Sequence, residues 1–211
     1  IDKILQELSS VPVSVEKDAP LAALGEYVFG QKKLIQNLAI ITIGTGVGSG
    51  FIVNGTLHQT PHGFGSEAGH LIVGNNKRQC GCGGFDHLES YASVTALRAA
   101  ASLKYGKKTT FTELKDLYLN RDPIAIDIIS KTANFMTIGI TQVINIVDSK
   151  KVVLADGGIS LGEVFLNEVQ ANYKKLCFKT HFDVEIEYSA LPINHGALLG
   201  AAALVFNRTW N

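Results

Sequence analysis

Cysteine and methionine are scarce in this chain of 211 residues, which contains three cysteines and one methionine. A small and odd number of cysteines argues against a disulfide framework and for a reducing compartment. The single methionine is Met136, and the sequence begins with Ile1. Because no start methionine opens the sequence, we expect the chain to be part of a longer protein.

The chain also has no net charge and no long apolar run. Nineteen basic residues balance nineteen acidic ones, which excludes a global basic field for nucleic acid or an anionic membrane but not a small local basic site. No apolar run approaches the roughly 20 residues of a membrane span, and no signal-peptide pattern opens the sequence. We therefore expect a soluble, cytoplasmic protein without a membrane partner.

Strand and helix patterns alternate in the second half of the chain, which favours an α/β fold with a mixed sheet covered by helices. The run "LAIITI" (38–43) is typical of a strand buried on both faces, and the Asn-Gly pair within 50–57 indicates a hairpin. Asp18 and Pro20 are typical of a helix start, with Asp18 as its N-cap. The predicted strands are 11–16, 38–43, 151–156 and 183–189, and the predicted helices are 1–9, 18–30, 87–103, 123–148, 160–176 and 195–206.

Two glycine-rich turns follow predicted strands. In "IGTGVGSG" (43–50), closely spaced glycines let backbone N–H groups approach a phosphate, although a tight glycine hairpin is the simpler interpretation. The stretch lacks the Gly-Lys-Ser/Thr of a Walker A motif. "ADGGIS" (155–160) lies between a strand and a helix, where ligands of open α/β sheets bind, but its glycines also suit a tight turn.

A third glycine-rich stretch, "QCGCGGFDHLE" (79–89), holds two of the three cysteines. Cys80 and Cys82 are too close for a relaxed disulfide. A redox pair, a metal site and free thiols in a glycine turn all remain open. A tetrahedral zinc site needs four nitrogen or sulfur ligands, and His87 and His70 are the nearest further donors.

The order of these stretches resembles that of the ROK family of bacterial sugar kinases and sugar-responsive repressors. The resemblance covers most of the chain and implies the C-terminal lobe of an actin-like, hexokinase-type (ribonuclease H-like) α/β fold, with a zinc-pinned loop. Residues 1–17 then belong to a hinge or to the end of an N-terminal lobe that is missing here. The matching stretches are "EKDAP" (16–20), "GTGVGSG" (44–50), "SEAGH" (66–70), "CGCGGFDHLE" (80–89) and "DGGIS" (156–160).

The resemblance also implies roles for single residues. Asp18 matches the catalytic base that takes a proton from the sugar hydroxyl as it attacks the γ-phosphate, while Lys17 stands at a sugar-contacting position. The other sugar-binding residues would be Glu67, His70 and Glu89. The zinc ligands would be His70, Cys80, Cys82 and His87, so that His70 serves both sites. The nucleotide would contact Gly44, Thr45, Gly46, Gly48, Gly157 and Gly158.

The implied function is an ATP-dependent, glucokinase-like sugar kinase for a hexose or an N-acetylhexosamine, with structural zinc, and with ATP and magnesium in the full-length protein. We expect no kinase activity from this chain alone. The alternatives are a sugar-responsive repressor, which binds DNA only if a helix-turn-helix lies upstream, and a zinc-stabilised module whose sugar pocket is no longer functional. The resemblance further implies a homodimer.

Four positions depart from the family pattern. Lys17 and Pro20 replace asparagines, and Lys17 would either depress the pKa of Asp18 or point to solvent. His87 replaces a cysteine but keeps a zinc-capable donor, and Asp156 replaces a glycine. Because a sensor does not need an intact catalytic neighbourhood, Lys17 and Pro20 slightly favour the repressor.

Overall fold

A mixed five-stranded sheet organises the chain, and the computed structural model describes residues 2–60, 66–181 and 183–209. The strand order is β3-β2-β1-β4-β5; β1 pairs antiparallel with β2 and parallel with β4, and β4 pairs parallel with β5. The strands are β1 (Leu38–Ile43), β2 (Val47–Val53), β3 (Thr56–Leu57), β4 (Lys151–Asp156) and β5 (Glu185–Tyr188).

Eight α-helices accompany the sheet in the described part of the chain. The predicted pattern of a mixed sheet flanked by helices is therefore confirmed. The helices are α1 (Asp2–Leu8), α2 (Asp18–Gly25), α3 (Leu88–Ala92), α4 (Val94–Tyr105), α5 (Phe111–Leu119), α6 (Pro123–Val147), α7 (Gly162–Leu176) and α8 (Gly196–Thr209).

The side chains of β1 alternate between two cores. Ile41 and Ile43 pack in the larger core with α3, α6 and α7, whereas Leu38 and Ile40 pack in a smaller core with α2 and α8. Each of these four isoleucine and leucine side chains is at most 1% exposed. The prediction of a strand buried on both faces is thus confirmed, and the sheet lies between two helical layers.

Helices α2 and α8 cross so closely that backbone meets backbone. A Cβ atom on Gly25 would lie 2.1 Å from the carbonyl oxygen of Gly196, and one on Gly200 would lie 1.8 Å from the carbonyl oxygen of Leu21. No side chain larger than hydrogen fits at either contact. These glycines therefore fix how α8 sits against α2, the helix that begins at Asp18.

Most predicted elements are confirmed, with shifted ends. The predicted helix at 87–103 is interrupted at Ser93, which is extended and caps α4 by accepting a hydrogen bond from the Ala96 N–H at 3.0 Å. The helix predicted from 160 begins at Gly162. At α2, Lys17 rather than Asp18 is the N-cap, and the Asp18 carboxylate accepts from the Ala19 N–H at 2.8 Å.

The strand predicted at 11–16 is wrong, since this segment forms no regular element. Its backbone groups bond locally instead of pairing with a neighbouring strand. The Gln6 side chain donates to the Val11 carbonyl at 3.1 Å and accepts from the Val13 N–H at 2.8 Å. Because the backbone is already bonded to this side chain, the apolar alternation does not produce a strand.

Candidate functional site

The start of α2 packs against one face of strand β2. A Cβ atom on Gly48 would lie 2.8 Å from the Ala19 Cβ, and one on Gly50 would lie 2.6 Å from the Ala19 carbonyl oxygen. The two glycines therefore let the helix approach the strand closely. This contact places the exposed Asp18 beside the beginning of β2. Gly48, a predicted nucleotide ligand, thus has a packing role, and its contact with a nucleotide stays a prediction.

The same strand holds the segment 66–70, which contains two of the predicted sugar-binding residues. The Ser49 hydroxyl accepts a hydrogen bond from the Ala68 N–H at 2.9 Å and donates to the carbonyl at the start of the segment. A Cβ atom on Gly69 would lie 2.0 Å from the Val47 carbonyl oxygen. The segment is therefore bonded and tightly packed against β2.

The departure at Lys17 has a direct structural consequence. Its ammonium group forms an ion pair with the Glu67 carboxylate, and the two side chains are 39% and 40% exposed. Lys17 therefore binds a predicted sugar-binding residue. This contact between residues 50 positions apart joins the start of α2 to the segment 66–70.

Glu89 connects the first glycine-rich turn with the cysteine loop, residues 80–84, which carries Cys80 and Cys82. One carboxylate oxygen, Oε2, accepts a hydrogen bond from the Val47 N–H at 3.1 Å, and the other, Oε1, lies 3.5 Å from Cys80 Sγ. A Cβ atom on Gly46 would lie 2.3 Å from Oε2. The carboxylate thus occupies the space that a side chain at Gly46 would need.

Four potential metal ligands, His70, Cys80, Cys82 and His87, place one donor atom each within 4.8 Å of one another. The two histidine Nδ1 atoms are 3.3 Å apart. Cys82 Sγ lies 3.2 Å from His87 Nδ1, and Cys80 Sγ lies 3.9 Å from His70 Nδ1. In a tetrahedral zinc site, two nitrogen ligands lie about 3.3 Å apart and a nitrogen and a sulfur ligand about 3.6 Å apart. The donor set and its spacing fit zinc.

A short antiparallel loop brings the two cysteines to this cluster. The Cys80 N–H donates to the Gly84 carbonyl at 2.8 Å, and the Gly83 N–H donates to the Cys80 carbonyl at 3.0 Å. Gly83 has φ +92°, a conformation that favours glycine. Burial raises the pKa of the Cys80 thiol, so a metal that binds there must displace a proton.

The first glycine-rich turn joins the antiparallel strands β1 and β2, so it is a hairpin turn. The Gly44 N–H donates to the Gly46 carbonyl at 2.9 Å. The start of α4 holds the turn from outside: the Val94 N–H donates to the Gly44 carbonyl at 2.9 Å, and the Thr95 hydroxyl donates to the Thr45 carbonyl at 2.7 Å. The turn therefore lies at the carboxyl end of β1.

The second glycine-rich turn lies next to the first, because β1 and β4 are parallel neighbours. A Cβ atom on Gly157 would lie 3.0 Å from the Ile43 carbonyl oxygen, and one on Gly158 would lie 2.5 Å from the Ile43 side chain. Asp156 has φ +62° and ψ −139°, a backbone conformation close to one that essentially only glycine adopts. Its carboxylate accepts from the Asn194 N–H at 3.2 Å.

Comparison with known proteins identifies the family. The family model described as "ROK family" matches residues 1–208. The chain belongs to the ROK family. Its sequence is 29% identical to the xylose repressor of Bacillus subtilis over 206 residues, which are 96% of this chain and 53% of the repressor. The ROK chain spans about half the length of the first curated relatives it matches.

Solved structures agree with this assignment. The ROK hexokinase from Thermus thermophilus superimposes with a TM-score of 0.87 at 29% identity, covering 96% of this chain and 70% of the hexokinase. A ROK family glucokinase from Streptomyces griseus, solved with glucose and AMPPNP, gives 0.86 at 25% identity, with coverage of 96% and 71%. The ROK chain therefore has the actin-like, hexokinase-type fold. None of its described helices is both long and apolar enough to cross a membrane.

One residue that organises the ROK cysteine loop escaped the sequence analysis. Asp86, just before His87, is buried and has φ +60°. Its carboxylate accepts hydrogen bonds from the N–H groups of residues 76–78 at 3.0 to 3.1 Å and from the Tyr91 phenol. These bonds, the phenol's first, lower the pKa of Asp86. In the sequence, the only sign of this role is that Asp86 stands directly beside His87, a potential metal ligand, in "FDHLE".

Proposed function

We propose that this ROK chain is the C-terminal lobe of an ATP-dependent, glucokinase-like sugar kinase that acts on a hexose or an N-acetylhexosamine. The observation that carries the proposal is the packing around β2. The start of α2, with Asp18, and the segment 66–70, with Glu67 and His70, contact the same few residues of this strand. Residues assigned to proton transfer and to sugar binding thereby lie near one another.

Asp18 is the proposed general base. It is exposed at the start of α2, with one of its carboxylate oxygens on the Ala19 N–H, and this bond orients the carboxylate. Phosphoryl transfer needs a well-positioned acceptor more than covalent chemistry, and a carboxylate suits the removal of a hydroxyl proton. Glu67, His70 and Glu89 would hold sugar hydroxyls, and a site built on hydrogen bonds rejects sugars whose hydroxyls are misplaced.

The nucleotide would bind at the two glycine-rich turns. Both lie at the carboxyl ends of neighbouring parallel strands, where ligands of open α/β sheets bind. Gly44, Thr45 and Gly46 offer exposed or half-buried backbone, and Gly157 and Gly158 form the adjacent turn. ATP and magnesium would enter in the full-length protein, in which an N-terminal lobe supplies the rest of the nucleotide site.

Zinc at His70, Cys80, Cys82 and His87 would be structural. Four protein ligands leave no open position for a substrate or a reactive water. Bound zinc would join the end of the segment 66–70 to the start of α3, and so hold Glu67 and Glu89 at a fixed distance from each other. His70 uses Nδ1 within the cluster, which leaves its other ring nitrogen for a sugar hydroxyl.

A sugar-responsive repressor is the second candidate function. The ion pair between Lys17 and Glu67 favours it, because the ammonium group competes with a sugar hydroxyl for the Glu67 carboxylate. A sensor tolerates this arrangement better than a catalyst does. The similarity to the xylose repressor of Bacillus subtilis supports the same alternative.

An ADP-release assay of the full-length protein with a panel of hexoses, N-acetylhexosamines and xylose tests the two functions. For a kinase, we expect turnover with at least one sugar and its loss in Asp18→Asn, with sugar binding retained. Asp148→Asn, at an exposed aspartate of the same lobe, is the control and should remain active. Absence of turnover with every sugar, together with sugar-dependent release of DNA, would contradict the kinase and support the repressor.

Lys17→Asn tests the role of the ion pair between Lys17 and Glu67 in sugar binding. An ion pair of this exposure contributes at most about 1 kcal/mol, so its removal should tighten sugar binding by up to about fivefold. If the protein is a repressor whose pocket has lost catalysis, Lys17→Asn will bind sugar more tightly without gaining turnover. Calorimetric titration of the full-length variant measures the change in Kd.

A further inference from the structure

A groove of about 860 Å³ lies between α4 and α6, and none of its lining residues is assigned to sugar, nucleotide or zinc. Its volume falls within the range of small-molecule sites. Most of the exposed surface that lines it is apolar, and Leu103 and Phe135 are among its lining side chains. The groove is therefore a second concave surface, separate from the proposed sugar site.

Arg78 is the polar group that distinguishes this groove. Its guanidinium group lies 5.1 Å from the centre of the Tyr91 ring and donates to the Ala96 carbonyl at 3.2 Å. No carboxylate in the described part of the chain forms an ion pair with it. A half-buried cation of this kind favours an anionic partner, because desolvation of a charge is costly without one.

The remaining lining defines the kind of anion. The rings of Tyr91 and Phe135 are stacked, with centroids 3.9 Å apart, and form an aromatic wall. Lys104 adds a positive charge at the groove, while the nearby Asp127 is neutralised by Lys131 at 2.7 Å. The groove therefore combines positive charge with a mainly apolar surface. Inorganic phosphate, which needs donors on several sides, suits it poorly.

We propose that this groove binds a small organic anion, a carboxylate attached to an apolar body. The carboxylate pairs with the free edge of the Arg78 guanidinium group, in the planar geometry that arginine and carboxylate share. The apolar body lies against Phe135 and Leu103, whose side chain is 83% exposed without a ligand. Covering these side chains and pairing the arginine both favour binding.

Titration of the full-length protein with phenylacetate tests the proposal, with neutral phenylacetamide and inorganic phosphate as comparison probes. We expect saturable binding of phenylacetate, with the other two probes bound at least about tenfold more weakly, since a hydrogen bond between charged groups is lost. Arg78→Gln should weaken phenylacetate binding by about the same factor. Arg98→Gln, on the exposed side of α4 and outside the groove, is the matched control and should bind as the wild type does.

Ala99→Phe provides a variant that leaves Arg78 and its loop intact. Ala99 is exposed and lines the groove, so a phenyl group there fills the space without disturbing the core. Binding should fall while the unfolding temperature stays unchanged. Equal binding of the acid and the amide, unaltered binding by Ala99→Phe, or phosphate binding as tight as that of phenylacetate would overturn the proposal. Failure of phenylacetate to bind would also overturn it. If Ala99→Phe then dissociates a dimer, the groove is a subunit interface instead.

Discussion

The contact between Gly46 and Glu89 leads to a quantitative prediction for Gly46→Ala. The new Cβ atom would lie 2.3 Å from Glu89 Oε2, so the carboxylate must move by about 1 Å to reach an ordinary contact distance. Its hydrogen bond from the Val47 N–H is already 3.1 Å long, and such a shift breaks it. The N–H group of a buried residue then loses a charged partner, which costs about 1.5–3 kcal/mol.

Gly44→Ala is the matched control, because a Cβ atom on Gly44 would meet no heavy atom within 4 Å. Both variants lower the conformational entropy of the unfolded chain by the same amount, so this contribution cancels in the comparison. We expect Gly46→Ala to be less stable than Gly44→Ala by about 2 kcal/mol in urea unfolding of the full-length protein. Sugar binding should weaken in Gly46→Ala alone, since Glu89 is displaced.

Equal stability of the two variants would refute the reasoning about Glu89. The same holds if both lose nucleotide binding and neither loses sugar binding, because the turn would then act only through the nucleotide. A third measurement connects the turn to the cysteine loop. Glu89 also lies against Cys80, so Gly46→Ala should bind zinc less tightly than Gly44→Ala in a competition with a chelator.

Three further predictions concern other parts of the molecule. Cys80→Ser should abolish bound zinc in metal analysis of the purified full-length protein, whereas Cys177→Ser, outside the cluster, should retain it; equal metal content would contradict the zinc site. The Tyr105 phenol and two backbone N–H groups lower the pKa of Asp122, so its ionised form stabilises the fold at neutral pH. The free energy of unfolding should therefore exceed that of Asp122→Asn at neutral pH, and this difference should disappear as the pH falls below about 4. Gly200→Ala should destabilise the protein by at least about 3 kcal/mol, because its Cβ would lie 1.8 Å from a backbone oxygen of α2. Gly196→Ala, whose nearest contact is 3.3 Å, should cost less than about 1 kcal/mol in the same urea titration.

Local sequence signals account for much of the fold. The runs at 38–43 and 151–156 are strands because their side chains are buried on both faces of a sheet, and a continuous apolar run reports that burial directly. Helix α5 was missed although its signal is present. Thr110 and Glu113 form a capping box, with Thr110 Oγ1 accepting from the Glu113 N–H at 3.2 Å. The strand predicted at 11–16 failed because its signal was local and its competitor, the Gln6 side chain, lies outside the run.

The candidate site was predictable as a set of residues but not as a set of contacts. Scarce cysteines and two nearby histidines suggested the members of the zinc cluster, which the chain does bring together. The pairing of Lys17 with Glu67 and the contact of Glu89 with Gly46 join positions more than forty residues apart. Such contacts depend on how the strands and helices pack, and no short pattern in one sequence encodes them.

The crossing of α2 and α8 also has a consequence for biosynthesis. The two helices are far apart in sequence, yet α8 covers the side of α2 that carries Leu21, Ala22 and Gly25 at backbone contact distance, whereas Ala19 lies against β2. During translation, this side of α2 therefore stays uncovered until α8 has been made. The packing around the helix that begins at Asp18 should therefore be completed only after α8 has joined it. A ribosome stalled before α8 would present that apolar face to chaperones and proteases.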